Sequence, residues 1–215
     1  MQPALTLQIE APLVMRQTII FILGSTLLAA CHAANSTVSS EYQTVGKYPR
    51  RDTDAARREN EAALGLMARQ DYSAAEQALR RALAQDVMFG PAHNNLGLVY
   101  YHQSQLYLAA WEFQYAIKLM PNQPEARNNL GLVFEASGKL DQAIDSYGQA
   151  LKSEPDNPQF LGNCARARVR RGDTSDDLRQ MLAKLAVLDS RPDWVIWARQ
   201  TLVLMKRPAN PDASH

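Results

Sequence analysis

A surplus of either charge is what this 215-residue chain lacks: 23 lysines and arginines face 22 aspartates and glutamates. No overall positive field draws nucleic acid or an acidic surface, and nucleic acid is not among the expected partners. Cysteine is scarce, Cys31 and Cys164 being the two in the chain, and they do not make a metal-binding spacing. A phosphate loop and a nucleophile elbow are also missing. Among four histidines, His93 and His102 lie nine residues apart, which on one helix places them about 180° apart, too divergent to share an ion. The expectation is no catalytic residue, no metal and no cofactor.

What the chain does contain is a period of 34 residues. Leu96-Gly97 recurs as Leu130-Gly131, Tyr100 as Phe134, Ala82 as Ala116 and Ala150, and Pro121 as Pro155. A period of this length marks stacked two-helix units, because one unit cannot bury its apolar face alone. The units fall at 56–89, 90–123, 124–157 and, with a decayed pattern, 158–191. In the clearest, Gly131 and Ala143 allow two backbones to approach, Phe134 and Tyr147 fill the space beside them, and Gly138 supplies a left-handed helix end. Pro155 stops the second helix. Ser73-Ala74-Ala75-Glu76 reads as a capping box at the start of another. In 158–191, Asp177 and Lys184 stand where packing alanines belong, so helices with shifted packing are predicted. Trp194, Ala198, Thr201 and Met205 at helical spacing predict a last helix covering the open end.

Over about residues 56 to 191 the chain resembles the tetratricopeptide repeat family, on the strength of the Leu-Gly, Tyr/Phe, Ala and Pro positions above. The resemblance implies an all-α fold, a right-handed α-solenoid of about 3 to 4 helix pairs with a C-terminal capping helix, over 54–206. Residues 207–215 would form a disordered tail.

Met15-Arg16, an uncharged run from Thr18 to Ala30 and a small-residue end have the layout of an export signal over 1–31, and Met15 is a candidate true start. Its apolar core falls well short of the roughly 20 residues of a spanning helix. Leu28-Ala29-Ala30-Cys31 resembles the lipobox of bacterial lipoproteins, which makes Cys31 the candidate lipidation site, with membrane attachment through the lipid. Residues 32–53, rich in Ser, Thr, Ala and Asn, suit a flexible tether. By the same resemblance, His32 in place of an aspartate after the cysteine implies the outer membrane of a bacterial cell envelope, facing the periplasm. Cys164, at the apolar position held by Leu96 and Leu130, reads as a buried structural thiol.

In the family the first helix of each pair lines a concave surface. Carried over, this groove holds Asn95, Asn129 and Asn163, accompanied by Asn94 and Asn128. A row of amides, each donor and acceptor, could grip an extended peptide backbone, or could instead cap local backbone. Leu98, Tyr101, His102 and Leu132 should also face inward. Arg166 and Arg170, one turn apart, would add positive charge and predict a partner with an acidic end, unless they only serve a helix terminus. His93 is expected to pack. Arg171-Gly172-Asp173 falls on an inter-helix turn, and Asp173, Asp176 and Asp177 at a helix start. The family's carboxylate clamp is not reproduced, since Leu64 and Glu125 stand at its polar and basic positions.

The leading expectation is a non-enzymatic scaffold binding an extended or helical protein segment, resembling assembly factors for pili or secretion pores. A cell-wall glycan-binding or glycan-remodelling factor and an intracellular adaptor are the alternatives. Oligomeric state is left open.

Overall fold

The computed structural model describes residues 51–205, so the expected export segment, nearly all of the tether and the tail lie outside the described residues. Those described fold as helices joined by short turns: α1 (Thr53–Ala68), α2 (Tyr72–Gln85), α3 (Gly90–His102), α4 (Leu106–Leu119), α5 (Glu125–Ala136), α6 (Leu140–Ser153), α7 (Pro158–Arg170), α8 (Asp176–Leu188) and α9 (Pro192–Met205). Each helix packs on the next. In addition α1 touches α3, α3 touches α5 and α5 touches α7, whereas the second helices α2, α4 and α6 do not approach one another in this way. First helices that sit closer together than second helices form the inner wall of a curved stack.

Close packing follows from small residues held in register. Ala75, Ala109 and Ala143 are fully buried one period apart, as are Ala82, Ala116 and Ala150. Between α5 and α6 the approach is tighter still, for a Cβ on Gly131 would lie 2.5 Å from Tyr147 Cε1. In α8 the buried residues are Leu178, Leu182 and Leu185: Leu178 and Leu185 lie one position past the alanine register, and Leu182 one past the position of Phe113 and Tyr147. The shift keeps Asp177 and Lys184 exposed, as the decayed pattern requires. Trp194, Trp197 and Ala198 of α9 join α7 and α8 in a second core cluster.

The turns inside each pair repeat as strictly as the helices. Gln70, Ser104, Gly138 and Gly172 all take positive φ, at 61°, 61°, 73° and 84°. After each, an amide reaches back five residues: Asp71 N to Leu66 O, Gln105 N to Tyr100 O, Lys139 N to Phe134 O and Asp173 N to Arg168 O, at 2.8–3.0 Å. This is the left-handed helix end that glycine favours, occupied twice by other residues. The expected capping box is corrected. Asp71 caps α2, its carboxylate accepting from Ala74 N at 3.1 Å, so Ser73 lies inside the helix. Glu76 instead accepts from Arg80 and Gln103.

Ser104 holds a conformation that costs an L-residue about 1–2 kcal/mol. Ser104→Gly is therefore expected to raise the urea midpoint, with a gain of about 0.5–1 kcal/mol after the extra freedom of glycine in the unfolded chain is counted. A midpoint that stays put or falls contradicts this.

Candidate partner-binding groove

Asparagines along the inner wall bond to one another from repeat to repeat. Asn95 Nδ2 donates to Asn60 Oδ1 at 2.8 Å, Asn129 Nδ2 to Asn94 Oδ1 at 3.0 Å, and Asn163 Nδ2 to Asn128 Oδ1 at 2.9 Å. Within each adjacent pair a longer contact closes the gap, from Asn94 Nδ2 to Asn95 Oδ1 at 3.5 Å and from Asn128 Nδ2 to Asn129 Oδ1 at 3.4 Å. The result is a ladder running from α1 to α7. Asn95, Asn129 and Asn163 are only 9%, 8% and 6% exposed, and Asn128 1%. Of the two roles left open by the sequence, gripping a peptide or capping local backbone, neither is what engages these amides within the chain: buried amides must find partners, and here they find each other.

The ladder stops at α7 for a visible reason. Gly162 occupies the position of Asn94 and Asn128, and a Cβ there would lie 2.9 Å from Trp194 Cε3 and Cζ3. The indole of α9 fills the place of the next amide pair. Asn163 Oδ1 accepts from Arg166 Nη2 at 3.3 Å instead.

Arg166 and Arg170 meet an acid of the chain itself. Glu135, 5% exposed, accepts from Arg166 Nε and Nη2 at 2.9 Å each, Arg170 Nη1 at 2.8 Å and the Tyr147 hydroxyl at 2.8 Å. Burial alone would raise the Glu135 carboxyl, but the bonds from Arg166, Tyr147 and Arg170 outweigh it and hold the group below its usual range. Burial and then the neighbouring Glu135 push the Tyr147 phenol up. The two arginines are thus not free cations, as the sequence suggested. Arg166 also lies 5.3 Å from the centroid of the Trp194 ring, and Arg191 lies 4.8 Å from it.

What the wall leaves open is apolar. Leu98 and Leu132, one turn on from Asn94 and Asn128, are half-buried, and Leu64, one period earlier, is 46% exposed. Arg166 takes the next place in that row. It borders a pocket of about 220 Å³ with Asp193, Trp194 and Trp197. Tyr101 is half-buried against the core. His102 stacks on Tyr72 of α2, ring centroids 4.7 Å apart, so it is held at the turn edge of the stack.

Other singled-out residues prove structural in their contacts. His93 bonds Glu112 at 2.7 Å and Val87 O at 2.9 Å. Cys164 is 3% exposed, and burial pushes its thiol up to about 11. Asp173 pairs with Arg168 at 2.7 Å, while Asp176 and Asp177 sit in the first turn of α8 behind its Ser175 cap. Among the described residues no group of three or more His, Cys, Asp or Glu side chains could hold a metal ion. The sequence reading missed Asn60, Glu135 and Trp197. Asn60 was visible one period before Asn94, and Glu135 one period after Tyr101.

Comparison with known proteins agrees with this geometry. The tetratricopeptide repeat family matches residues 60–127 and again 124–157. The chain is a tetratricopeptide repeat protein. The structure of pilF from Pseudomonas aeruginosa is 21% identical, with a TM-score of 0.60 over 72% of this chain and 74% of that one. YrrB, described as having an unusual peptide-binding site, is 22% identical, with a TM-score of 0.57 over 69% and 76%. The first repeat domain of Spaghetti, bound to an HSP90 peptide, is 18% identical, with a TM-score of 0.55 over 58% and 98%. At these identities the likeness concerns the fold. The curated proteins contain no match.

The Glu135 carboxyl is held down in the folded chain, so its contribution is present above the ordinary carboxylate range and is lost as pH falls through the lowered value. Glu135→Gln should cost about 2 kcal/mol near neutral pH, less than a fully buried pair because Arg170 is half exposed. It should also flatten the loss of thermal stability below about pH 5. An acid limb identical in the variant and the parent contradicts this account. Asn128→Ala, which strands the Asn163 amide, should cost about 1–3 kcal/mol by urea unfolding.

Proposed function

We propose that the chain is a non-enzymatic scaffold that holds a segment of a partner protein in the trough formed by α1, α3, α5 and α7. The observation that carries this reading is the inner wall itself. Its amides and its buried acid are satisfied within the chain, and a row of half-open leucines remains at one-period spacing. A surface of that kind gains by burying an apolar segment, at about 25 cal/mol per Å². Peptide binding by fold neighbours, stated for YrrB and for Spaghetti, supports a peptide occupant.

The segment would place apolar side chains on Leu64, Leu98 and Leu132. Any backbone contact to Asn94, Asn95, Asn128, Asn129 or Asn163 would use the amide capacity the ladder leaves over. Near Arg166 and Arg170 two cations share one carboxylate, and that excess fits an acidic group at the segment's end. Tyr101 and His102 would contribute the turn-side rim.

The same reading places the scaffold in the bacterial envelope, lipid-anchored through Cys31 at the outer membrane and facing the periplasm, where it would assist assembly of pili or secretion pores. Its support is the lipobox-like sequence ending in Cys31. Among the described residues no helix is long and apolar enough to cross a membrane.

Photo-crosslinking from position 98 or 132 in whole cells tests the groove. The expected result is a discrete adduct lost in Leu132→Asp, a variant whose circular dichroism matches the parent. No specific adduct from either position would reject the trough as the binding surface. Fatty-acid labelling of the chain, abolished by Cys31→Ser, tests the anchor separately.

A further inference from the structure

The row of Leu64, Leu98 and Leu132 runs on at the same spacing to Arg166, and there the wall of the trough opens into the pocket of about 220 Å³ between α7 and α9. A drug-sized ligand occupies about 300 Å³ or more, so a space of this size takes one large side chain. Trp194 and Trp197, both half-buried, meet edge to face, with ring centroids 5.6 Å apart and planes at 79°. They wall a corner, not a flat platform.

Two polar groups look into this corner with bonding capacity to spare. Asp193 is exposed in the first turn of α9 and has no ion-pair or hydrogen-bond partner among the described residues. Arg166 spends Nε and Nη2 on Glu135 and Asn163, which leaves Nη1. Charge then narrows the occupant. A carboxylate in the corner would lie beside Asp193. An ammonium would lie beside Arg166 and near Arg191, the two cations already placed over the Trp194 ring. What suits both sides is a neutral group that donates to Asp193 and accepts from Arg166, carried on an aromatic body that the indoles can cover. The phenol of tyrosine has that chemistry. Phenylalanine or leucine would fill the space and leave both polar groups shielded from water without a partner.

We propose that this pocket seats the side chain of a tyrosine in the partner segment. The inference rests on the trough as the binding surface and names the residue that anchors the segment there. An aromatic side chain in a pocket at the end of an apolar row is the usual anchor of an interface. The acidic end of the segment then belongs to Arg170, which is half exposed and does not line the pocket. A sugar is also neutral and hydroxylated, but it lies flat on an open ring face, and here arginines lie over Trp194 while Trp197 stands across it.

The test uses the full chain carrying Cys31→Ser, which takes lipid out of the measurement, and follows the indole N–H signals of its three tryptophans by NMR. N-acetyl-tyrosine amide should shift those of Trp194 and Trp197 saturably, with a dissociation constant on the order of millimolar for so small a ligand. The signal of Trp111, on α4, should stay in place. The phenylalanine, leucine, lysine and glutamate amides should bind at least about fivefold more weakly. Asp193→Ala should bring tyrosine down to the level of phenylalanine and leave phenylalanine as it was, which a loss of folding would not do. In whole cells, photo-crosslinks from position 200, the next place in the row, should map to a tyrosine-bearing segment of the protein captured from position 132. No saturable shift, phenylalanine equal to tyrosine, a tyrosine preference that survives Asp193→Ala, or a captured segment without tyrosine would overturn the proposal while leaving adducts from positions 98 and 132 intact. Loss of those adducts would instead reject the trough. An N-acetylglucosamine oligomer that shifts Trp194 and Trp197 at lower concentration than tyrosine would also overturn it, and would assign the pocket to glycan.

Discussion

A side-chain amide of one repeat donating to a side-chain amide of the repeat before it is the contact on which the inner wall depends. It recurs at Asn95, Asn129 and Asn163, at 2.8–3.0 Å, always between first helices. Apolar packing brings these helices together but is not directional, and on its own it tolerates sliding. A hydrogen bond tolerates little displacement, and an unpaired amide at these depths is penalised. The ladder therefore fixes the spacing and the register of α1, α3, α5 and α7, and with them the shape of the trough.

How the ladder ends matters as much as how it runs. At Gly162 the missing side chain admits Trp194, and α9 closes the row with an indole where the next repeat would place an amide. Beside it Glu135 draws Arg166 and Arg170 inward and takes the Tyr147 hydroxyl as well. One end of the wall is thus a charge cluster bordered by two tryptophans, while the other end is leucine and open. A trough with unlike ends has a direction.

The 34-residue period made helix pairs, turn positions and the small-residue contacts legible from sequence, because each depends on spacing within one or two repeats. The shift in α8 was legible too, since Asp177 and Lys184 cannot occupy buried alanine sites. The groove was only partly so. Spacing placed Asn95, Asn129 and Asn163 on the correct wall but could not show that a neighbouring repeat brings a second amide within bonding distance. Arg166 and Arg170 were read as free because Glu135 lies a full repeat before them. The capping error was local: Asp71 and Ser73 are both good caps, and the turn geometry at Gln70 selects the earlier one. The pocket between α7 and α9 emerges only when first helices are aligned with one another and the partners of Arg166 and Asp193 are known.

The most direct measurement of this account is hydrogen exchange of the side-chain amides, followed by NMR on asparagine-labelled chain. The Nδ2 protons of Asn95, Asn129 and Asn163 should exchange far more slowly than those of the exposed Asn122, and slow together when the ladder is intact. Exchange of all three at the rate of Asn122 would mean that the amides face solvent unpaired, and that something other than the ladder sets the spacing of the inner helices.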